Sequence, residues 1–344
     1  MLEKNDLTAI FDEVERLIDQ DKIAEAIELL EKQVSHYENE VTFLNFIAKI
    51  YHLTGNSQLT INYLNRSIEI NPENLETLEI LGDVYYSLKN WNQALISWKK
   101  ICELDPKRYL LWNKIGDLYY EIGEYFDATK AFINFLEYEE NIDVYSILST
   151  IYKKMGNEIE SWNNLMKAEQ LDPKNEKILM QIGDTYLDLD NYDRAEDYFR
   201  SVTKINEEDL QAWFQLGKTL EAKQEFTQAI DSFSKVIELD PDNVLGFFNL
   251  ANIYASLANI EESIRYYEEC LSRDPSFLEA SMSLASLSWA SKDNEKAISY
   301  LEDALRYNKT EARLYRMLGD ISEDLGEEEK ALDYWEKALE LEEG

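Results

Sequence analysis

The sequence predicts an all-α fold in which one pair of antiparallel helices is repeated along the chain. Three observations predict it. Between Leu75 and Pro106 apolar residues recur three and four positions apart, as on one face of a helix. The same pattern returns at an offset of 34 residues, with a small residue at one fixed position. All five prolines fall where a repeat ends, so the chain is expected to form a stack of helix pairs, an α-solenoid.

The stretch from Leu75 to Pro106 is the clearest copy of this unit. Asn90 marks a turn between its halves, and Asp105 followed by Pro106 ends the second helix, because proline disfavours helical geometry in the residue before it. The first half has apolar residues at Leu78, Leu81, Val84, Tyr85 and Leu88, and the second at Trp91, Ala94, Leu95, Trp98 and Ile101.

Small residues are expected where the two helices cross. Gly82 and Ala94 put little or no side chain between the backbones, so the helices can approach closely while Leu81, Tyr85 and Trp98 fill the surrounding space. One such pair cannot bury both of its apolar faces, so it needs neighbours. At the 34-residue offset the glycine position reads Ala48, Gly82, Gly116, Ser149, Gly183, Gly217, Ala251, Ala285 and Gly319.

The period, the small crossing residues, a recurrent tyrosine and the closing prolines together resemble the tetratricopeptide repeat (TPR) family. The tyrosine is seen at Tyr51, Tyr85, Tyr119, Tyr152, Tyr186 and Tyr254, and the prolines are Pro72, Pro106, Pro173, Pro241 and Pro275. The resemblance implies a right-handed superhelix, in which the first helices line a concave groove and the second helices form the convex back. A single array is expected over residues 1–344, with repeats starting near residues 7, 41, 75, 109, 142, 176, 210, 244, 278 and 312.

The repeats differ in regularity along the chain. Residues 1–40 form a degenerate repeat with Val14 at the glycine position, as expected of a capping unit. Repeats two to four are regular, but the step from Tyr109 to Ile142 is one residue short, which predicts a local change of twist near residues 137–142 or a difference that packing absorbs. Repeats five to eight resume the period. The tenth repeat has no polar helix after it within the sequence, which leaves Leu332, Trp335 and Leu339 as a candidate assembly face.

Composition limits the classes of partner. The formal net charge is −35 and the acids are spread along the chain. This charge indicates a well-solvated surface, and it also disfavours nucleic acid and anionic membranes and favours basic partners. The N-terminus lacks the features of a signal peptide and no apolar run is long enough to span a membrane, so a cytoplasmic protein without direct membrane insertion is expected.

No catalytic constellation is visible in the sequence. His36 and His52 have no nucleophile or metal ligand at a suitable spacing, and the glycines form no phosphate loop. Cys102 and Cys270 fall in second helices and are expected to be inert core thiols. The sequence therefore predicts a chain that is not an enzyme and uses no cofactor or metal.

We number the places of each first helix from the first residue of its repeat, so that Val244 is place one of the eighth repeat. The resemblance implies that places two, five, nine and twelve face the groove. Place five carries large apolar residues in four successive repeats, Met180, Phe214, Phe248 and Met282, with Trp289 near the end of the stripe. Such a stripe is typical of an interaction site, although the same side chains could instead pack against the next first helix. Hydrogen bonds to a partner are expected from Gln215, Lys218, Asn249 and Asn252.

A second lining is predicted in the N-terminal half, where Asp83, Tyr86, Asp117 and Tyr120 make an acidic, tyrosine-rich surface. It would suit a basic segment or be a solvated wall. Two known TPR binding modes, the carboxylate clamp and the asparagine ladder, do not match: Ile80 and Leu110 break the first, and the asparagine place of the second is mostly occupied by other residues.

Three hypotheses for function follow. The first is a non-catalytic scaffold whose groove binds a peptide or amphipathic helix of another protein. The second is a structural subunit that assembles with a second copy or a fixed neighbour through the C-terminal face. The third is the superhelical arm of an enzyme whose catalytic domain lies outside these residues.

Overall fold

The protein is seen here in a computed structural model that describes residues 3–343, with the side chains of residues 7–342. These residues form twenty α-helices and one short 3-10 helix, and no strand occurs among them. The predicted all-α fold of helix pairs is confirmed. By compactness the chain divides into two units, Met1–Leu171 and Asp172–Gly344, which are described separately. The prediction of one continuous array stays a prediction.

The first unit contains five helix pairs. Each pair is antiparallel because its two helices are joined by a turn of a few residues. The helices are α1 (Glu3–Asp19), α2 (Ile23–Glu31), α3 (Val41–Leu53), α4 (Ser57–Ile70), α5 (Leu75–Ser87), α6 (Trp91–Leu104), α7 (Leu110–Glu121), α8 (Tyr125–Leu136), α9 (Ile142–Lys154) and α10 (Glu158–Leu171), and the 3-10 helix Pro106–Arg108 precedes α7.

The second unit contains five further pairs, with thirteen residues in each first helix and fourteen or more in each second helix. Its helices are α11 (Glu176–Asp188), α12 (Tyr192–Ile205), α13 (Leu210–Ala222), α14 (Phe226–Leu239), α15 (Val244–Ser256), α16 (Ile260–Arg273), α17 (Leu278–Ala290), α18 (Asn294–Tyr307), α19 (Ala312–Asp324) and α20 (Glu328–Glu343).

Glycine allows the closest helix crossings. An added Cβ at Gly82 would lie 2.2 Å from the indole nitrogen of Trp98, well inside the van der Waals distance. Five pairs combine glycine on the first helix with an aromatic residue sixteen positions later: Gly82/Trp98, Gly116/Phe132, Gly183/Phe199, Gly217/Phe233 and Gly319/Trp335. Where the first helix carries alanine or serine, the residue facing it is not tryptophan or phenylalanine: Ala48/Leu64, Ser149/Leu165, Ala251/Tyr267 and Ala285/Leu301. Glycine at the crossing is therefore matched with tryptophan or phenylalanine, and alanine or serine with leucine or tyrosine.

The turn inside each pair contains a residue in the left-handed region. In the third repeat this residue is Lys89, with φ +57°, and the predicted turn residue Asn90 follows it, between α5 and α6. The amide N–H of Asn90 donates to the carbonyl of Tyr85 and that of Lys89 to Tyr86, which closes the end of α5. Gly55, Gly123, Gly156 and Gly326 serve this position elsewhere, but six turns that the structure describes use other residues, among them Ala258.

Replacing Ala258 with glycine is therefore expected to stabilise the second unit. Ala258 has φ +55°, a conformation that costs an alanine about 1–2 kcal/mol more than a glycine. The free energy of unfolding, measured by urea denaturation, should rise by about 0.5–1 kcal/mol after the greater chain entropy of glycine is subtracted. Ala290→Gly, at the helical end of α17, is the control and should lower stability. Equal losses in both variants would contradict the strain argument.

Candidate partner-binding site

The predicted apolar stripe lies on four successive first helices of the second unit. Met180, Phe214, Phe248 and Met282 occupy the same place on α11, α13, α15 and α17, and all four side chains are half-buried. The ring of Phe214 meets Phe233 edge-on, with centroids 5.6 Å apart. The side chains of the stripe are thus neither fully exposed nor fully buried. Each one packs with part of its surface against a nearby cluster of buried apolar residues.

Phe248 shows what covers the buried part of the stripe. Its ring centroid lies 5.2 Å from that of Phe277 and 5.8 Å from that of Tyr267. Phe277 directly precedes α17, so the residue at place five packs against the start of the next pair. The two sequence interpretations, packing and exposure, therefore each describe a part of the same side chains.

Leu245 extends the stripe and was not among the predicted site residues. It lies one helical turn before Phe248 on α15, and 49% of its surface is exposed. It occupies place two, which the family resemblance assigns to the groove, so reading place two down the array would have found it. Leu110, at the same place on α7 of the first unit, is also exposed.

The polar residues predicted beside the stripe already bond within the chain. Gln215 donates from Nε2 to Asp184 Oδ1 at 2.7 Å, Asn249 donates from Nδ2 to the Leu245 carbonyl at 2.7 Å, and Asn252 accepts from the Tyr267 hydroxyl. Each carboxamide has more donors and acceptors than these bonds use, so the amides are oriented and can still bond a partner. Lys218 is exposed. Burial raises the pKa of the nearby Glu221 carboxyl, and the positive charge of Lys218 opposes that rise.

Trp289 anchors the end of the stripe to the next pair. Its indole N–H donates to Asp324 Oδ2 at 2.7 Å, and its ring packs against the cluster that contains Leu314 and Leu318. Trp289 therefore braces α17 against α19, and its side chain is half-buried rather than open on the groove.

A charge cluster joins the end of α13, one of the helices that carry the stripe, to the second helices on either side of it. Lys223 Nζ lies within 3.0 Å of carboxylate oxygens of Asp193, Glu196 and Glu225. Partial burial acts to raise the pKa of Glu196, but hydrogen bonds from Lys223 and Arg200 outweigh it, so this pKa lies below its ordinary value. The cluster holds α12 and α14 to the end of α13.

The predicted second lining, in the first unit, is less acidic than its sequence suggests. Lys114 pairs with Asp83, which also accepts from the Trp98 indole N–H at 3.2 Å. Lys154 Nζ lies 3.3 Å from the Tyr120 hydroxyl and 4.9 Å from its ring centroid. Two lysines from neighbouring repeats thus occupy much of this surface.

The other two predicted residues of that lining stay accessible. Tyr86 is exposed beside Trp91 and Trp98. Partial burial and the nearby Glu121 raise the pKa of the Asp117 carboxyl. The lining is a mixed polar surface with two lysines, and its use as a site for a basic segment stays a prediction.

The three residues of the predicted assembly face separate into two groups. Trp335 lies over Gly319 and donates its indole N–H to Asp320 Oδ1 at 3.0 Å, so it belongs to the helix crossing of its own pair. Leu332 and Leu339 are 57% and 54% exposed. A charge at Trp335 would therefore disturb the last pair itself, and Leu332 and Leu339 are the residues that can report on assembly.

The two cysteines are buried and free. Burial raises the pKa of the Cys102 thiol to about 11 and that of Cys270 to about 12. Among the residues that the structure describes, no group of three or more histidine, cysteine or acidic side chains could hold a metal ion. No helix in the same part of the chain has the length and apolar character needed to cross a membrane.

Sequence profiles of known families match four segments of the chain. A profile described as tetratricopeptide repeat matches residues 180–244 and 289–343, and a second profile with the same description matches residues 41–74 and 246–277. The segments cover just over half of the chain and fall on the helix pairs described above. The chain belongs to the tetratricopeptide repeat family. TPR arrays are protein-interaction scaffolds, so this general class of function is supported.

Two solved structures resemble parts of this chain. The C-terminal part of a TPR repeat-containing protein from Cytophaga hutchinsonii has a TM-score of 0.61 at 19% identity, over 69% of this chain and 98% of that one. A structure of MamA has a TM-score of 0.43 at 23% identity, over 47% of this chain and 95% of that one. The first likeness shows the fold.

A curated human protein, Protein O-mannosyl-transferase TMTC1, is 25% identical over 173 residues. The match covers 48% of this TPR chain and 19% of the human protein, so the chain spans about a fifth of that relative's length.

Proposed function

We propose that this TPR protein is a non-catalytic scaffold that binds a peptide or amphipathic helix of another protein on the first helices of its second unit. One observation carries the proposal: four successive first helices hold a half-exposed Met or Phe at the same place, and Leu245 adds an exposed leucine beside them. Apolar side chains that follow the repeat in this way offer a partner a series of anchor points.

The chemistry of this surface suits a segment with apolar anchors and a polar border. Met180 and Met282 have flexible, polarisable side chains that adapt to different shapes. Phe214 and Phe248 are held by the rings they contact, so a partner would meet a surface that is already ordered. Gln215, Asn249 and Asn252 border them, and Lys218 can pair with a carboxylate on the partner.

The test uses exposed residues, because Phe214 and Phe248 also support the fold. A phage-displayed peptide library is selected on the wild-type protein, and enriched peptides are titrated against Leu245→Glu with Lys218→Glu. We expect at least tenfold weaker binding, because Leu245→Glu would put a negative charge beside the apolar stripe and Lys218→Glu would remove the lysine cation. Leu257→Glu is the matched control: this leucine is 47% exposed, against 49% for Leu245, but lies in the turn after α15.

Peptides that bind the double variant and the control equally well would contradict the proposal. Circular dichroism of all variants should show unchanged helicity, because the substituted positions face solvent.

The third hypothesis, the arm of a larger enzyme, is the second candidate. The similarity to a fifth of the human Protein O-mannosyl-transferase TMTC1 favours it. In that arrangement this chain would still act by binding, with catalysis in another domain. We propose a cytoplasmic location only for the scaffold, and not for the arm of a larger enzyme.

A further inference from the structure

Two neighbouring second helices of the first unit carry apolar residues on their solvent-facing side. Phe126 and Ile159 are each the second residue of their helix, α8 and α10, and Ile159, at 74%, is the most exposed large apolar residue that the structure describes. Ile133 lies two turns after Phe126 on the same side of α8 and is 44% exposed.

The repeat pattern does not require apolar residues at these two positions, the second and the ninth of a second helix. Every second helix of the second unit has polar or charged residues there: Asp193, Thr227, Glu261, Glu295 and Glu329 at the second position, and Arg200, Ser234, Glu268, Glu302 and Glu336 at the ninth. Exposed apolar side chains that packing does not call for are typical of an interaction site.

A cleft between α8 and α10 continues this surface into the protein. Its volume is about 330 Å³, and Ile133 and Leu136 of α8 lie on its wall. Leu148 and Tyr145, both buried residues of the intervening helix α9, line it as well. A side chain that enters the cleft would therefore contact aliphatic and aromatic groups.

Two exposed carboxylates line the same cleft. Glu137, after the end of α8, and Glu160, in the first turn of α10, form no ion pair among the residues that the structure describes. Partial burial raises the pKa of the Tyr152 hydroxyl in the cleft, and the negative charge of Glu160 adds to this rise. The lining also contains Lys167, whose Nζ lies 5.4 Å from the centroid of the Tyr145 ring. The described lining thus has one more negative charge than positive charge.

We propose that the cleft between α8 and α10 docks a segment of a partner protein in which a large apolar side chain is flanked by lysine or arginine. The apolar side chain would enter the cleft beside Ile133, and its neighbours along the segment would cover Phe126 and Ile159. The flanking cations would pair with Glu137 and Glu160. The charges argue against a second copy of this chain, because pairing the surface with itself would bring carboxylates together.

The experiment begins with a phage-displayed peptide library. It is selected on the full chain carrying Leu245→Glu with Lys218→Glu, which suppresses binding to the groove proposed above. Enriched peptides should share a large apolar residue with lysine or arginine beside it. Fluorescein-labelled copies are then titrated by anisotropy against the wild-type chain, to which they should bind as tightly as to the groove variant.

Variants of the cleft identify the residues that bind. Ile133→Glu with Ile159→Glu should weaken binding at least tenfold, because it would put negative charges on the apolar surface. Ile159→Glu alone should weaken it severalfold without altering the wall of the cleft. Glu137→Gln with Glu160→Gln should also weaken it severalfold, and should reduce its dependence on salt.

Leu53→Glu with Leu88→Glu is the matched control and should bind the peptides as wild type does. These leucines are 69% and 45% exposed, against 74% and 44% for Ile159 and Ile133, but they lie at the turns inside earlier pairs of the same unit. Circular dichroism and thermal melting should be unchanged in all these variants, since the substituted side chains face solvent.

Several results would overturn the proposal. One is a selection that enriches no peptide, and another is equal affinity of wild type and the Ile133/Ile159 variant. Equal affinity for peptides whose lysines and arginines are replaced by glutamate would also contradict it. Self-association of the wild-type chain that the Ile133/Ile159 variant abolishes, measured by sedimentation, would identify a second copy as the occupant instead. Because the groove and the cleft are altered by different variants, either proposal can fail without the other.

Discussion

Gly82→Ala is expected to lower the free energy of unfolding by about 2 kcal/mol, although alanine is the better helix former. The added methyl group would lie 2.2 Å from Trp98 Nε1 and 2.4 Å from its Cδ1. Trp98 is fully buried, and its indole N–H donates to Asp83, so the ring cannot move aside without losing packing and a hydrogen bond. Urea denaturation with circular dichroism measures the loss.

A second substitution tests whether the clash is the cause. In this chain alanine at the crossing faces leucine twice, as Ala48 with Leu64 and Ala285 with Leu301, and all four are buried. Trp98→Leu alone should also destabilise, because it leaves a cavity. In the double variant, Gly82→Ala with Trp98→Leu, the alanine methyl group fills part of that cavity. The double variant should therefore lose less free energy of unfolding than the two single variants together, by at least 1 kcal/mol. Simple additivity would show that the two residues are not coupled as the structure indicates.

Asn45→Leu is expected to lower the free energy of unfolding by about 2–3 kcal/mol, which is the second large effect on stability. Asn45 is 1% exposed, and its Oδ1 accepts from the hydroxyls of Ser67 and Thr77, both at 2.9 Å. Its Nδ2 donates to Glu76 Oε2 at 3.3 Å. Leucine has nearly the same shape but would leave buried hydroxyls with fewer partners.

The control for this prediction is Asn249→Leu. Asn249 is one place further along its helix, is half-exposed, and bonds only a carbonyl of its own helix at 2.7 Å among the bonds described for it. The free energy of unfolding of Asn249→Leu should therefore fall by no more than about 0.5 kcal/mol. If thermal and urea unfolding give the two variants the same stability, the network around Asn45 does not stabilise the second and third repeats.

Much of the fold could be predicted because it is encoded locally. Apolar residues three and four apart define a helical face, and a glycine or alanine at a constant offset marks each crossing, so the helix pairs follow from neighbouring residues alone. The turns also lie where they were predicted, but the residue that adopts the left-handed conformation was not identified in every turn. Lys89, rather than Asn90, adopts the left-handed conformation, because the hydrogen bonds that end α5 determine that position and lysine gives no sign of it.

The exposure of the candidate site residues depends more on residues that are distant in sequence. Phe248 and Asn45 share place five of a first helix, and the family pattern assigns both to the groove. Phe248 is half-exposed because Phe277 covers only part of it, whereas Asn45 is buried by Asn74, Glu76 and Thr77.

By itself, the sequence determined the helix pairs, their period and the faces on which apolar residues lie, since these depend on spacing within one helix. The tertiary structure decided which of those residues are open to a partner. Trp335 turned inward over Gly319, while Leu332 and Leu339 on the same helix stayed exposed. The reason is that exposure depends on the element that packs against a face, and here that element lies sixteen residues away for Trp335 and twenty-nine for Phe248.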